Sequence, residues 1–317
     1  MDVIQVTGRP PVSNEQLVLA IGKFDGVHIG HQAILRTAQS ELSGALLAVM
    51  SFWPHPAWVL GEKQGYDRAL TPFTEKVKLL EAFGVDRMYS VQFSKDYAAI
   101  PAETFVYEHL KSLNLKRVVV GSDFSFGRGG KAGVSDLENM CRDLGVPVSV
   151  VNQVEENGVK VGSTQIRTHL AEGRVEAAQA LLGRPYTVTG RVVHGNALGR
   201  QIGFPTANLA GIEDYVIPAS GVYAVSVEIE EESPNSEQGA RVQNWFGVLN
   251  AGTRPTVDGT EFRLEVHLFR FSGDLYGKSL RVSFLRRVRD EQKFDSVADL
   301  TSQIAKDVAK VESMLGI

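Results

Sequence analysis

The pattern of apolar and polar residues changes near residue 185. Before that point, short apolar runs alternate with longer segments whose apolar residues recur every three or four positions, a pattern typical of parallel strands joined by crossover helices. The predicted strands are residues 17–21, 45–52, 87–91, 117–120 and 146–151, and the predicted helices are residues 31–40, 72–83, 102–113 and 135–144. This order predicts a doubly wound α/β domain with a parallel sheet, in which ligands bind beyond the carboxyl ends of the strands.

Two short helices are predicted to close this first domain, over residues 164–172 and 174–182. Each is followed by a glycine, Gly173 or Gly183, the residue that most readily takes the left-handed conformation after a helix. Pro185 cannot continue a helix. We therefore predict one domain over residues 1–185 and a second over residues 186–317.

Beyond residue 185 the apolar residues alternate with polar ones, as in strands that are buried on one face. The predicted strands are residues 187–193, 222–229, 244–249, 262–269 and 280–288, and residues 231–239 are predicted to form a polar loop. Short strands without intervening helices predict an antiparallel β-barrel. A C-terminal helix is predicted to pack on the barrel through an apolar stripe formed by Val297, Leu300, Ile304, Val308, Val311 and Leu315.

Composition narrows the class of protein. Of the 317 residues, 43% are apolar, with 37 acidic and 33 basic side chains. No apolar run approaches the eighteen residues of a membrane span, and no basic excess predicts a nucleic-acid partner. The single cysteine, Cys141, excludes an internal disulfide, and the N-terminal residues lack the pattern of a secretion signal. We therefore expect a cytoplasmic globular protein without membrane or nucleic-acid partners.

The first candidate site follows the strand at residues 17–21. There the chain reads Gly-Lys-Phe-Asp-Gly-Val-His-Ile-Gly-His over residues 22–31, directly before a predicted helix. His28 and His31, separated by Ile29 and Gly30, can face one anion at a helix N-terminus, where backbone N–H groups and the helix dipole add to the attraction. Two surface histidines in a loop are the simpler alternative.

Two further segments could join that site. Residues 121–127 follow the strand at residues 117–120 and read Gly-Ser-Asp-Phe-Ser-Phe-Gly, which a simple turn would also explain. In residues 161–167, Ser163 or Thr164 can cap a helix whose first turn carries Arg167. A cation there opposes the helix dipole at a cost of about 0.3–1 kcal/mol unless an anion lies nearby. A salt bridge to Glu172 would account for Arg167 equally well.

These segments together resemble the HxGH nucleotidyltransferases. The longer strings resemble the bacterial bifunctional riboflavin kinase/FAD synthetases, including Pro54-His55-Pro56, the segment from Leu70 to Lys76, and Gly-x-Asp-Phe-x-Phe-Gly at residues 121–127. The resemblance implies a Rossmann-like domain in which the phosphate of FMN attacks the α-phosphorus of ATP and pyrophosphate leaves. It gives His55 no role, and we expect a buried histidine with satisfied hydrogen bonds.

The resemblance also assigns residues. It implies that His28 and His31 are catalytic, that Asp123 and Phe126 contact the flavin, Phe126 through its ring face, and that ATP is bound by Gly22, Phe24, Asp25, Gly26, Gly30, Ser163, Thr164 and Arg167. One hydroxyl is missing relative to the family, because Gly162 stands where the family usually has serine.

The second candidate site lies in the predicted barrel. Thr206 and Asn208 offer a hydroxyl and an amide oxygen, hard ligands that suit Mg²⁺, although a simple turn would also explain them. Glu265 shares a strand face with Arg263 and His267, as many paired surface carboxylates do. Gly195, Gly199 and Gly203 form a flexible loop, continued by Phe204 and Pro205, whose backbone N–H groups could surround phosphates. Resemblance to riboflavin kinases implies Thr206 and Asn208 for Mg²⁺ and phosphate, and Glu265 as the base.

The predicted function is therefore bifunctional. The barrel would convert riboflavin and ATP to FMN and ADP, and the α/β domain would convert FMN and ATP to FAD and pyrophosphate, with Mg²⁺ in both steps. The partners are small molecules: riboflavin, FMN, FAD and ATP. The chain would be a monomer or a weak homo-oligomer. Two alternatives stay open at this point: only one site is active, or the protein is a noncatalytic flavin sensor.

Overall fold

The computed structural model forms two compact units, Met1–Ser163 and Thr164–Ile317. Each unit has its own sheet. The structure describes residues 1–61, 63–156, 158–195, 198–231, 241–256 and 259–317.

The first unit contains a parallel sheet of six strands in the order β1-β4-β3-β2-β5-β6. This confirms the predicted doubly wound α/β fold. The strands are β1 (Asp2–Val6), β2 (Leu17–Ile21), β3 (Leu46–Trp53), β4 (Arg87–Gln92), β5 (Leu115–Gly121) and β6 (Val148–Val151). The helices are α1 (Ile29–Ser40), α2 (Pro56–Val59), α3 (Phe73–Ala82), α4 (Lys95–Ala98), α5 (Ala102–Thr104) and α6 (Val134–Asp143), and a hairpin is formed by β7 (Glu155–Glu156) and β8 (Val159–Lys160).

The strand order reverses beside β2. From β2 the chain continues to β3 and β4 on one side, and β5 and β6 are later added on the other side. Leu17, Leu19 and Ile21 of β2 pack into one core and Val18 and Ala20 into the other, so both faces of the sheet are covered. The loops after β2 and β5 therefore meet at a topological switch point, where open α/β sheets bind ligands.

Residues 102–113 depart from the predicted regular helix. After α5 the chain forms a π-helix (Phe105–His109) and a 3₁₀-helix (Leu110–Leu113), and it leaves the latter through Asn114 in the left-handed conformation. Spacing of apolar residues does not distinguish these forms from an α-helix. On α6, Cys141 is fully buried, and burial raises the pKa of its thiol to about 11.

Two helices precede the barrel of the second unit. They are α7 (Ser163–Ala171) and α8 (Val175–Leu182), and α8 ends at Gly183 in the left-handed conformation, as predicted. The compact units divide after Ser163. The division of function after residue 185 stays a prediction.

The second unit contains a closed antiparallel barrel in the order β10-β13-β12-β11-β14-β9, which confirms the predicted architecture. Strand β10 was missed because it is short and starts inside a segment that resembles a loop. The predicted loop at residues 231–239 lies, apart from Glu231, outside the described residues. The elements are β9 (Tyr186–Val193), α9 (Leu198–Gln201), β10 (Ala207–Ala210), β11 (Gly221–Glu231), β12 (Arg241–Thr256), β13 (Gly259–Leu268), β14 (Ser279–Arg289) and α10 (Val297–Leu315).

Helix α10 packs on the outside of the barrel through Val308, Val311 and Leu315 of its predicted stripe. An ion pair fixes the same helix, because the Arg289 guanidinium donates to both carboxylate oxygens of Asp307 at 2.8–3.0 Å. Asp307 is only 3% exposed. Helix α10 is thus held by apolar packing and by a buried charge pair.

Among the described residues, no helix has the length and apolar character that crossing a membrane requires.

Removing the Asp307 carboxylate should destabilise the second unit strongly, because Arg289 would lose the partner of a mostly buried charge. For Asp307→Ala we expect the free energy of unfolding to fall by about 3–5 kcal/mol. Denaturant unfolding monitored by circular dichroism checks this value. Glu312→Ala is the matched control on α10, since Glu312 pairs with the exposed Arg270 at 3.2 Å and should cost less than about 1 kcal/mol. Equal losses for the two variants would contradict the prediction.

Candidate active site

The histidine pair lies at the start of α1, beyond the carboxyl end of β2. His28 is the N-cap residue, and its Nδ1 accepts a hydrogen bond from the backbone N–H of His31 at 3.3 Å. The two imidazole rings stack with centroids 3.7 Å apart and planes inclined by 21°. A Cβ atom on Gly30 would lie 3.1 Å from Nδ1 of His28, so a side chain there would crowd the pair. The predicted pairing of the histidines at a helix N-terminus is therefore present.

Burial favours the neutral form of His31. It lowers the pKa of the imidazole well below the usual value, and His28, Lys76 and Lys23 lower it further. Within the described residues, its buried Nδ1 has no hydrogen-bond partner. A neutral imidazole has one N–H to donate, and an approaching anion would favour its protonated form. The pair is thus suited to an anionic ligand.

The loop between β2 and α1 is strained. Phe24 and Val27 have left-handed φ values of 48° and 41°, conformations that cost non-glycine residues about 1–3 kcal/mol each. Gly26 has a φ of 91°, which glycine alone adopts readily. The ring of Phe24 lies beside that of His31, with centroids 5.1 Å apart. Such strain persists only where surrounding contacts hold the backbone.

Contacts from the chain before α3 hold this loop. The Asp25 carboxylate is buried and accepts hydrogen bonds from the backbone N–H groups of Leu70 at 2.8 Å and Thr71 at 3.4 Å. The Thr71 hydroxyl in turn accepts one from the Gly26 N–H at 3.0 Å. Behind the loop, the Gly22 N–H donates to the carbonyl oxygen of Met50 at 3.1 Å. Asp25 thus anchors the backbone, and its predicted contact with ATP stays a prediction.

The loop after β5 carries Asp123 and Phe126. Asp123 is exposed and forms an ion pair with Lys160 at 2.6 Å, a partner that the sequence did not indicate. Phe126 is buried, and Phe124 stacks on its ring with centroids 5.6 Å apart and planes inclined by 16°. Phe126 therefore packs against Phe124, and contact of Phe126 with a flavin stays a prediction.

The segment from Val161 to Arg167 spans the division between the two units. Ser163 ends the first unit, and its hydroxyl donates to the carbonyl oxygen of Asp25 at 2.7 Å. Thr164 and Arg167 follow on α7 in the second unit, and their binding of ATP stays a prediction. The Glu172 carboxylate forms an ion pair with Arg174.

His55 has the expected structural environment. It is 9% exposed, and its Nδ1 accepts a hydrogen bond from the Ala57 N–H at 3.1 Å, which caps α2. Its ring also contacts Tyr66, with centroids 4.5 Å apart.

In the barrel, strand register brings three polar residues together. Asn208 of β10 lies opposite Glu265 of β13, and Asn250 of β12 also pairs with Glu265. Cross-strand partners share a face of the sheet, so these side chains lie on the outer face of the barrel. Their strand neighbours, Leu209 and Leu264 among them, are buried in the barrel interior. Asn250 was not among the predicted site residues, because its strand was predicted to end one residue earlier.

Asn208 carries an unsatisfied acceptor. Its Oδ1 is buried and has no hydrogen-bond partner within the described part of the chain. A buried acceptor without a partner is costly, and a ligand or ion that binds it removes the cost.

Glycines let the loop before β10 approach these residues. A Cβ atom on Gly195 would overlap the side-chain amide of Asn208, and one on Gly199 would overlap the carbonyl oxygen of Phe204. The Phe204 N–H donates to the carbonyl of Gly199 at 2.8 Å, which closes the turn. Both glycines are therefore required by close contacts, as a phosphate loop around residues 206–208 would need.

The remaining predicted loop residues lie beside the same strand. Gly203 has a φ of 86°. The Pro205 carbonyl forms a hydrogen bond with Nδ1 of His267 at 2.9 Å, and the Phe204 ring packs edge to face on His267. Thr206 is exposed at the end of this loop. Thr206 directly precedes β10, in which Asn208 pairs with Glu265 of β13.

Known protein families match both parts of the chain. The family model described as FAD synthetase matches residues 11–165, and the model described as riboflavin kinase matches residues 182–315. A crystal structure described as a macrolide-efflux protein from Streptococcus pneumoniae is 35% identical and superposes with a TM-score of 0.85 over 97% of both chains.

Two relatives match along most of their length. The bifunctional riboflavin kinase/FMN adenylyltransferase of Bacillus subtilis is 38% identical over 92% of this chain and 90% of its own. The protein of the same name from Escherichia coli K12 is 39% identical over 96% of this chain and 94% of its own. The chain belongs to the family of bifunctional riboflavin kinase/FMN adenylyltransferases, as the sequence predicted.

Proposed function

We propose that the chain carries out two consecutive transfers, each with ATP as co-substrate. The barrel phosphorylates riboflavin to FMN. The site at the carboxyl ends of the parallel strands adenylylates FMN to FAD. The stacked histidine pair at the N-terminus of α1 supports the second assignment most directly. It combines two imidazoles with the backbone N–H groups of a helix N-terminus at a switch point, a combination that favours phosphate oxygens.

In adenylyl transfer, the FMN phosphate attacks the α-phosphorus of ATP and pyrophosphate leaves. The attacking phosphate is already ionised, so no protein base is needed. Negative charge grows on the phosphoryl oxygens in the transition state, and preorganised donors stabilise it. His28, His31 and the backbone beside Gly30 supply these donors. Asp25 does not act as a base in this mechanism, since its carboxylate is engaged by backbone N–H groups.

Further residues complete the proposed adenylyltransferase site. The loop of Gly22, Phe24 and Gly26 shapes the nucleotide pocket. Asp123 and Phe126 contact the flavin. Ser163, Thr164 and Arg167 hold the triphosphate, with one hydroxyl fewer than usual because of Gly162.

In phosphoryl transfer to riboflavin, Glu265 orients the ribityl hydroxyl and accepts its proton. The loop with Gly195, Gly199 and Gly203 surrounds the phosphates. Positioning and charge neutralisation carry most of the catalysis in a loose transition state. The Oδ1 of Asn208, which has no partner among the described residues, and the hydroxyl of the exposed Thr206 are oxygen donors that fit Mg²⁺. When bound there, Mg²⁺ would neutralise phosphate charge.

The proposal extends to the organisation of the protein. Residues 1–185 would serve adenylyl transfer and residues 186–317 would serve the kinase reaction. A single buried cysteine is compatible with the reducing cytoplasm. We propose a monomer or weak homo-oligomer there, with neither a membrane nor a nucleic acid as partner.

Replacing both histidines should separate the two activities. With riboflavin and Mg-ATP, His28→Ala combined with His31→Ala should accumulate FMN, because loss of even one transition-state donor typically lowers the rate about 10²–10³-fold. Chromatographic separation of the flavins measures this. His28→Asn serves as a control for helix capping, since asparagine can still accept the N-cap hydrogen bond. Undiminished FAD formation by the double variant would rule out the histidine assignment.

The same experiment on the unmodified chain, run separately with riboflavin and with FMN, distinguishes the alternatives. A bifunctional enzyme converts riboflavin through FMN to FAD, a chain with one active site makes only one of the two conversions, and a flavin sensor makes neither.

Glu265→Gln and Asn208→Ala should block FMN formation by about 10²-fold or more, since they remove the proton acceptor and an oxygen ligand. FMN supplied to these variants should still be adenylylated. Glu228→Gln is the matched control: this barrel carboxylate pairs with Arg281 at 3.3 Å, and its loss should leave both rates unchanged. A variant of Glu265 that phosphorylates riboflavin normally would contradict the kinase assignment.

A further inference from the structure

Lys76, on α3, makes contacts that the proposed mechanism does not use. Its side chain is nearly fully buried. The ammonium donates hydrogen bonds to the carbonyl oxygen of Lys23 at 3.0 Å and to the hydroxyl oxygen of Ser51 at 3.3 Å. Ser51 directs its own hydroxyl to the same Lys23 carbonyl at 2.9 Å. Two donors from two elements thus converge on one backbone oxygen of the loop between β2 and α1.

The carbonyl that Lys76 binds directly precedes the strained residue Phe24. The Phe24 ring in turn lies against His31. A fixed Lys23 carbonyl therefore limits rotation of the backbone at Phe24, and this backbone places the Phe24 ring beside the His31 imidazole. This link connects α3 to the histidine pair by a hydrogen bond, one peptide unit and a ring contact.

The charge around Lys76 is unbalanced. Among the described residues, the Asp25 carboxylate acts on the Lys76 ammonium, and His28, Lys76 and Lys23 act on the His31 imidazole. Burial lowers the pKa of Lys76 to about 8, and the Asp25 carboxylate opposes this effect only in part. The Lys76 charge also helps to lower the pKa of His31. A bound polyanion would relieve both effects, because negative charge favours the protonated forms.

We propose that Lys76 is a positioning residue for adenylyl transfer: its buried ammonium fixes the Lys23 carbonyl, and thereby the loop that seats His31, and its charge is balanced by the phosphates of the nucleotide bound at that loop. This inference rests on the function proposed above for the first unit. It gives a role to the segment from Leu70 to Lys76, which the resemblance included without one.

The pH dependence of adenylyl transfer tests the inference. In the unmodified enzyme, kcat/KM for FMN adenylylation should decline as the pH rises through about 8, since the free enzyme loses the ammonium charge. Lys76→Met should lower kcat/KM at pH 7 by roughly tenfold to hundredfold and should lack the decline near pH 8. Lys76→Arg, which keeps its charge, should retain more activity than Lys76→Met and should also lack the decline.

Lys78→Met is the matched control on the same helix. Lys78 is 52% exposed and lies 3.9 Å from Glu75. This variant should keep the rate and pH profile of the unmodified enzyme. Riboflavin kinase activity, measured in every sample, should be the same throughout and reports on the second unit, while circular dichroism reports on folding of the first.

A second readout does not depend on turnover. Calorimetric titration with α,β-methylene-ATP and Mg²⁺ at pH 8.5, repeated in buffers of different ionisation enthalpy, measures proton uptake on binding. The unmodified enzyme and Lys78→Met should take up a fraction of a proton more than Lys76→Met, because the bound phosphates reprotonate Lys76.

Opposite results would overturn the inference. If Lys76→Met keeps the profile and the proton uptake of the unmodified enzyme, Lys76 only stabilises the fold, even if the variant unfolds more easily. Should Lys76→Met fail to fold, a persisting decline near pH 8 in Lys76→Arg has the same consequence. Failure of the proposed function is distinguishable, since the unmodified enzyme would then form no FAD, while proton uptake would still report on Lys76.

Discussion

Strand β2 lies between β3 and β5, and the order in which the chain adds strands to the sheet reverses there. Such a reversal favours a ligand crevice beyond the carboxyl end of β2, where the N-terminus of α1 lies. The chain must turn within a few residues from a buried strand into that helix, and the backbone of Phe24 and Val27 is strained as a result. Contacts from Asp25, Thr71 and Lys76 hold the strained turn, so the histidine pair depends on the segment that precedes and begins α3.

In the barrel, pairing between strands positions the polar side chains of the proposed kinase site. Backbone register alone sets Asn208, Glu265 and Asn250 side by side on three adjacent strands. Helix α10 covers another part of the outer surface, around Val222 and Val248. Glycines in the loop before β10 then bring its backbone against Asn208. In both units the rigid backbone positions the polar groups, and small residues let a loop approach them.

The strands and helices with strong local patterns could be predicted from the sequence. The apolar runs located five strands of the sheet, the alternation located most of the barrel, and the resemblance carried the family, which the comparisons confirmed. Strand β1 escaped because it lies at the sheet edge and most of its residues are not buried, and β10 because it spans only four residues. The role of Asp25 as an anchor and the burial of Lys76 arise from contacts between residues some 45–53 positions apart, which no local pattern records.

Cys141 has a practical consequence for work on this protein. It is the chain's single cysteine, and it is fully buried with a thiol that remains protonated at neutral pH. Thiolates, not thiols, react with maleimides and iodoacetamides, so the natural chain should resist labelling while folded. A cysteine introduced at an exposed position could then carry a fluorophore or spin label without removal of the native one.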